Sequence, residues 1–240
     1  MCFTNGGMNR MINQFIRKAI KIVTISLLPC FLSGCILLML TGPSQLEPTP
    51  KHISATKHDT ARAYTMRGFL DVFSTGMNSL AKRIQMQLNI PAQSLSYLEE
   101  KKLAQLLIHN YQTGRFRGPI ILIGHSYGAD EQINVARLLN TAHVPVDLLI
   151  SLDNTKRQTI PPNVRTFYNI NSGRSVMSWL VPWGTPLTAT SKKTKMVDVN
   201  LVKDKRFLRV NHFNIDKLPE VQAYIIEVIK ENVATRANSM

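Results

Sequence analysis

The stretch Pro119-Ile120-Ile121-Leu122-Ile123-Gly124-His125-Ser126-Tyr127-Gly128 decides the fold predicted for this 240-residue chain. Its first five residues form a continuous apolar run that is too short for a helix and is typical of a parallel strand buried on both faces. A helical pattern follows over residues 129–141. The segment therefore predicts a strand, a tight turn flanked by glycines, and a helix.

Predicted strands and helices alternate on both sides of this unit. Leu80, Ile84 and Leu88 recur every four residues and predict a helix over 77–89. The other predicted elements are strands over 64–70, 146–152, 164–170 and 196–202, a helix over 98–112 ended by Gly114, and a closing helix marked by Val221, Ile225, Val228 and Ile229. This alternation predicts an α/β fold, a mostly parallel sheet with helices on both faces.

The turn Gly124-His125-Ser126-Tyr127-Gly128 matches the pattern G-x-S-x-G. A Cβ atom at either glycine is expected to collide with the neighbouring strand or helix, and the serine is expected in strained backbone geometry that holds its hydroxyl outward. The start of the following helix supplies backbone N–H groups and a partial positive charge that favour an oxyanion. Ser126 is therefore a candidate nucleophile.

A serine hydroxyl needs a histidine to accept its proton and an acid to fix the tautomer of that histidine. Asp153 follows the predicted strand 146–152, at the sheet edge where ligand-facing residues of open α/β sheets lie. His212 lies in a loop before the closing helix. The three residues predict a catalytic triad, and the structural alternative for each is a turn or helix-capping role.

In the order Ser126, Asp153, His212 the chain resembles the α/β-hydrolase superfamily over roughly residues 62–230. The segments Arg67-Gly68-Phe69-Leu70 and Asn211-His212-Phe213-Asn214-Ile215-Asp216, with Phe73-Ser74-Thr75-Gly76-Met77, are similar to a small group of bacterial lipase-like or thioesterase-like proteins. The resemblance implies the α/β-hydrolase fold and hydrolysis of an acyl ester or thioester through an acyl-enzyme.

The position of the acid departs from most of that superfamily, in which it follows the next strand. After the predicted strand 164–170 the chain reads Asn171-Ser172-Gly173-Arg174, without a carboxylate. Placement of the acid one strand earlier is similar to the pancreatic-type lipases, and Asp153 fits it. Asp198 and Asp147 are the alternatives.

The oxyanion hole implied by the resemblance uses the N–H that follows the nucleophile, which belongs to Tyr127, and one from the loop after an early strand. For the second donor we expect Phe69 or Leu70, with Phe69 preferred and Gly68 allowing close approach. The turn Ser74-Thr75-Gly76 is an alternative.

The amino terminus is typical of a secretory leader. Arg10, Arg17, Lys18 and Lys21 form a positive segment, and 22–32 is apolar. Leu32-Ser33-Gly34-Cys35 resembles the bacterial lipobox, which implies lipidation of Cys35. We predict a signal peptide over 1–34, a lipidated cysteine and tether over 35–60, and a hydrolase domain over 61–240 in the bacterial cell envelope, facing the periplasm or exterior. The alternative is an uncleaved membrane anchor over 22–40.

Composition limits the remaining function classes. With 29 Lys plus Arg against 15 Asp plus Glu, the formal net charge is +14, which favours an anionic partner. The densest basic stretch, 192–209, contains a single aromatic residue, Phe207, and not the repeated aromatic residues between charges that are typical of a nucleic-acid groove. No nucleic-acid partner is predicted. No metal or cofactor motif is present in the sequence.

Two alternatives stay open. The segment 172–193 is rich in apolar residues and is expected either to line an acyl pocket or act as a lid, or simply to pack on the domain. The competing functional class is a lipoprotein of the same fold that binds a lipid or protein partner without turnover.

Overall fold

The computed structural model describes residues 60–69, 71, 74–173, 183–207 and 209–237. Within them lie the strands β1 (Arg62–Met66), β2 (Ala92–Leu95), β3 (Ile120–His125), β4 (Val146–Leu152), β5 (Thr159–Ile160), β6 (Val164–Asn171), β7 (Thr188–Ala189) and β8 (Lys195–Asn200). The helices there are α1 (Gly76–Leu88), α2 (Glu100–Gln112), α3 (Tyr127–Thr141) and α4 (Pro219–Ala237), with 3-10 turns at Tyr97–Glu99, Leu201–Lys203 and Lys205–Phe207.

Six of the strands form one sheet in the order β2-β1-β3-β4-β6-β8, and every neighbouring pair is parallel. The strands β5 and β7 pair separately. Because the strands of the large sheet are parallel, their carboxyl ends meet at one edge. His125 at the end of β3 pairs in register with Leu152 at the end of β4. The residues that follow these two strands therefore emerge side by side.

Helices cover both faces of the sheet, and β3 shows why. Ile121 and Ile123 pack in one buried cluster with residues of α1 and α4, whereas Ile120 and Leu122 pack in a second cluster with residues of α2 and α3. Successive side chains of a strand point to opposite faces, so a continuous apolar strand requires apolar cover on both. The predicted α/β class, with a parallel sheet between two helical layers, is confirmed.

Several predicted boundaries differ from the observed ones. β1 covers 62–66 rather than 64–70, because the chain turns after it and the amide of Asp71 donates to the carbonyl of Gly68. β3 continues through His125, and α3 begins at Tyr127 rather than at 129. β8 ends at Asn200, whose side chain accepts the amide of Val202 and starts a 3-10 turn.

The other elements lie close to their predicted positions. β4 matches the predicted 146–152, β6 is one residue longer than predicted, and α1 starts and ends one residue earlier. α2 begins at Glu100 because the preceding turn is capped by Ser96 and Glu99. β2 was not predicted, since Ala-Gln-Ser-Leu has no strand pattern and becomes a strand through its pairing with β1.

The predicted signal peptide, Cys35, the tether up to residue 59 and the alternative anchor over 22–40 lie outside the described residues, as do Leu70 and residues 174–182 of the segment 172–193. Within the part that the structure describes, every helix is too short or too polar to traverse a bilayer.

Candidate active site

Ser126 occupies the turn between β3 and α3 in a strained backbone conformation, with φ 57° and ψ −127°. A positive φ is uncommon for a residue with a side chain and persists only where the surroundings enforce it. Here the amide of Ser126 donates to the carbonyl of Leu152 at 2.8 Å, and its carbonyl accepts the amide of Ala129 at 2.9 Å. These bonds fix the serine between the end of β4 and the first turn of α3.

The two glycines of the turn are required for steric reasons. A Cβ atom on Gly124 would lie 2.3 Å from the carbonyl oxygen of Gly128, and one on Gly128 would lie 2.4 Å from the carbonyl oxygen of Arg67. A Cβ atom would therefore collide as predicted, on Gly124 with α3 and on Gly128 with the segment that follows β1. The turn can be this tight only with glycine at both positions.

The structure brings the side chains of Ser126, His212 and Asp153 together. The Oγ of Ser126 lies 3.1 Å from Nε2 of His212, and Nδ1 of His212 lies 3.3 Å from Oδ2 of Asp153. A carboxylate only accepts, so Nδ1 carries the proton and leaves Nε2 free to accept from the serine hydroxyl. Asp153 is fully buried and His212 is 8% exposed. The arrangement can move a proton from Ser126 to His212.

Ser172 holds the carboxylate of Asp153 from the other side. Its amide donates to Oδ1 at 2.8 Å and its hydroxyl donates to Oδ2 at 2.5 Å. Charge-assisted hydrogen bonds of this kind fix the orientation of a carboxylate. Ser172 follows β6, where the superfamily resemblance would place the acid itself, so the missing carboxylate was the signal that could have drawn attention to this residue.

The two alternative acids lie elsewhere. Oδ2 of Asp147 accepts the amide of Ile120 at 3.0 Å, at the amino end of β4 and therefore at the opposite edge of the sheet. Oδ1 of Asp198 accepts a hydrogen bond from Nδ2 of Asn169 across β6 and β8, also at 3.0 Å. The carboxylate joined to His212 is that of Asp153.

The two predicted oxyanion donors flank the serine. Tyr127 is the first residue of α3, where amides have no acceptor within the helix. Phe69 follows Gly68, on which a Cβ atom would lie 3.0 Å from Cβ of Ser126. In the alternative turn, the amide of Gly76 already donates to Oδ2 of Asp216 at 2.8 Å. The amide of Gly76 is therefore already engaged and is not free to donate to an oxyanion.

Aromatic side chains lie on two sides of the site. The indole of Trp183 stacks on the ring of His212, with centroids 4.6 Å apart and planes inclined by 18°. Phe213 contacts both rings edge-on and is 56% exposed. Phe69, which is 58% exposed, contacts the rings of Tyr97 and Tyr127. Sequence reasoning placed Trp183 in an apolar segment but gave no signal for its contact with His212.

His125, the residue before Ser126, is buried. Its Nδ1 lies 2.8 Å from Oγ of Ser74, and its Nε2 lies 2.9 Å from the carbonyl oxygen of His212. Burial lowers the pKa of His125 to about 3, so the ring is neutral near neutral pH. Burial also raises the pKa of Asp216, whose Oδ1 lies 3.9 Å from Nδ1 of His125, to about 6.

Other predicted features lie apart from these contacts. In the basic stretch 192–209, Arg206 pairs with Asp204, while Lys203 and Lys205 are exposed. Among the described residues there is no group of three side chains suited to hold a metal ion.

Comparison with known proteins gives structural likeness only. No protein-family model matches the chain, and no curated protein matches it. Among solved structures, a Xanthomonas campestris protein assigned to the α/β superfamily of hydrolases is 12% identical, with 71% of this chain and 98% of that chain covered and a TM-score of 0.39. Human thioesterase 2 is 12% identical, with 73% and 97% covered and a TM-score of 0.44.

A cutinase-like protein from a Cryptococcus species is 14% identical, with 72% of this chain and 95% of that chain covered and a TM-score of 0.42. The strand order, the helical layers and the strand-turn-helix unit around Ser126 fit the α/β-hydrolase fold.

Proposed function

We propose that this protein is a serine hydrolase that cleaves an ester or thioester, as a lipase, esterase or thioesterase does, through Ser126, His212 and Asp153. The observation that carries the proposal is the continuous path of 3.1 Å from Ser126 to His212 and 3.3 Å from His212 to Asp153. It is supported by the strained backbone of Ser126, because such strain concentrates at functional sites.

In the proposed reaction, Nε2 of His212 takes the proton of Ser126 as Oγ attacks the substrate carbonyl. The resulting tetrahedral oxyanion accepts hydrogen bonds from the backbone amides of Tyr127 and Phe69. His212 then gives its proton to the leaving alcohol or thiol, and an acyl-enzyme remains. Water, deprotonated by His212, releases the acid and restores the serine hydroxyl. Asp153 stabilises the imidazolium in both steps.

The side chains around Ser126 favour an acyl substrate with apolar character. Trp183 and Phe213 lie against His212 on one side, and Phe69 lies with Tyr97 and Tyr127 on the other. An apolar acyl chain placed along the exposed rings of Phe69 and Phe213 is stabilised as it leaves water. No cofactor takes part in the proposed chemistry.

The activity is tested with acyl esters and acyl thioesters of graded chain length. We expect hydrolysis by the wild type that is lost in Ser126→Ala, with Ser191→Ala as the matched control, since Ser191 is half-buried and its Oγ accepts the amide of Lys193. The same series ranks chain lengths and leaving groups. A folded wild type without turnover on any of them would favour the competing function, a lipoprotein of this fold that binds a lipid or protein partner.

We also propose that the protein is a lipoprotein of the bacterial cell envelope, attached through Cys35 and facing the periplasm or exterior. The sequence Leu32-Ser33-Gly34-Cys35 supports this proposal. Incorporation of a labelled fatty acid in a bacterial host should be lost in Cys35→Ser and retained in Cys30→Ser. Unlabelled wild type that stays in the membrane fraction would instead favour an uncleaved anchor over 22–40.

A further inference from the structure

His125 takes no part in the proposed reaction. His125 is the last residue of β3 and precedes Ser126; its side chain is 1% exposed, its ring centroid lies 5.0 Å from that of His212, and it makes polar contacts of its own. These contacts join Ser74, the main chain of His212 and Asp216. Buried polar groups are hydrogen-bonded, so these three neighbours determine which ring nitrogen of His125 carries a proton.

The hydrogen-bond partners fix the tautomer of His125. The carbonyl oxygen of His212 can only accept, so Nε2 of His125, at 2.9 Å, must carry the proton. In the neutral ring Nδ1 is then an acceptor, and it accepts a hydrogen bond from the hydroxyl of Ser74, whose Oγ lies 2.8 Å away. Burial favours the neutral ring because it disfavours charge. One nitrogen of His125 is thus committed to the main chain of His212.

This bond closes a ring of contacts around the reacting atoms. Ser126 touches the side chain of His212, while His125, its covalent neighbour, holds the backbone carbonyl of the same histidine. His212 itself lies in the loop between the 3-10 turn Lys205–Phe207 and α4, and not on a strand or helix. Side chains in a loop are placed less securely than those on strands, and a shift of about 1 Å costs roughly a hundredfold in rate.

We propose that His125 is a positioning residue: by donating from Nε2 to the backbone carbonyl of His212, it ties the loop that carries His212 to the end of β3 and sets the distance between His212 and Ser126. This proposal rests on the proposed function of Ser126 and His212. Ser74 and Asp216 support it by holding the other edge of the His125 ring and the turn before α1.

Two amide substitutions of His125 separate positioning from packing. The amide nitrogen of Gln reaches the place of Nε2 and can donate to the carbonyl of His212, whereas the shorter Asn places its amide near Nδ1, beside Ser74, and cannot reach that carbonyl. Both variants replace a buried ring by a smaller polar group, so both are expected to lose stability. Urea unfolding of each variant at several temperatures identifies a temperature at which both variants are folded.

At that temperature we expect His125→Asn to lower kcat for an acyl ester by about tenfold to a hundredfold with KM little changed, and to slow fluorophosphonate labelling of Ser126 by a similar factor. His125→Gln should recover most of the rate. Equal rates in the two variants, or an Asn variant as fast as the wild type, would overturn the proposal while leaving the hydrolase itself established.

A measurement on the unsubstituted protein tests the same bond without activity. In wild type labelled with ¹⁵N and ¹³C, the imidazole of His125 should be neutral with its proton on Nε2 near neutral pH, and Nε2 should be coupled through the hydrogen bond to the carbonyl carbon of His212. A proton on Nδ1 would overturn the proposal. If wild type has the Nε2 proton and the coupling but is not labelled by a fluorophosphonate, the proposed function fails and the bond stands as structural.

Discussion

At the scale of single residues, the candidate site depends on how Asp153 is held. It is fully buried, and its φ of 47° lies in the left-handed region. It accepts from His212 and receives two further hydrogen bonds from Ser172. A buried carboxylate needs such donors, because a lone one would be costly to desolvate. Residues 153 and 172 are therefore expected to act as a unit.

Asp153→Asn should lower turnover roughly 10³–10⁴-fold, because an amide in place of the carboxylate no longer fixes the tautomer of His212 or stabilises the imidazolium. Asp198→Asn should remain within a few-fold of wild type, since Asp198 bonds to Asn169. Steady-state kinetics on one acyl ester checks both. Similar activity in the two variants would show that Asp153 is not the acid.

Ser172→Ala should lower kcat by about tenfold, because it removes the hydroxyl bond to Oδ2 of Asp153, the oxygen that also faces His212, and keeps the amide bond to Oδ1. Ser191→Ala is the matched control. Unchanged kcat in Ser172→Ala would mean that the amide bond alone suffices to orient Asp153.

At the scale of elements, the strand-turn-helix unit fixes Ser126 through backbone contacts. Gly124 lies against α3 and Gly128 against the chain that leaves β1, so the turn joins three elements at van der Waals distance. Interiors packed at this density tolerate added atoms poorly. The same contacts explain why the serine keeps a strained φ.

Gly124→Ala should lower the free energy of unfolding by about 3 kcal/mol, the upper end for overpacking, because the new Cβ would lie 2.3 Å from the backbone oxygen of Gly128. Gly114→Ala is the control: it has open space around it but a φ of 72°, so about 1 kcal/mol of backbone strain is expected. Urea unfolding measures both. Equal losses would contradict a steric role for Gly124.

The sequence predicted elements well where their pattern is local. β4 follows from an apolar run and matches the predicted bounds. β2 escaped prediction because its four residues become a strand only by pairing with β1. The meeting of Ser126, Asp153 and His212 was predictable from chain order and strand ends. The contacts of Ser172, Trp183 and His125 were not, because neither a motif nor the chain order assigns a partner to these side chains.

At the scale of the whole molecule, two buried groups beside the site link its stability to pH in opposite directions. Burial raises the pKa of Asp216 to about 6, partly offset by Lys217, so its contribution to stability is complete below its ordinary pKa near 4 and is lost as the pH rises through about 6. Burial lowers the pKa of His125 to about 3, so its contribution is complete above about 6.5 and declines as the pH falls toward about 3.

Asp216→Asn removes one of these two opposing dependences of stability on pH. The amide oxygen of the new side chain can still accept a hydrogen bond from the amide of Gly76. Relative to wild type, the variant should gain on the order of 2–3 kcal/mol between about pH 4 and pH 7, because the wild type must ionise a buried carboxyl over that range. Urea unfolding at several pH values checks this, with Glu220→Gln, at an exposed carboxyl, as control. A stability difference that does not change with pH would contradict the raised pKa of Asp216.

The central claim is that one hydroxyl in this molecule is an activated nucleophile, and covalent labelling tests it most directly. After reaction of folded protein with a fluorophosphonate, mass spectrometry of its peptides should find the adduct on Ser126. The adduct should be missing in Ser126→Ala. A folded wild type that stays unlabelled, or an adduct on another serine, would contradict the account.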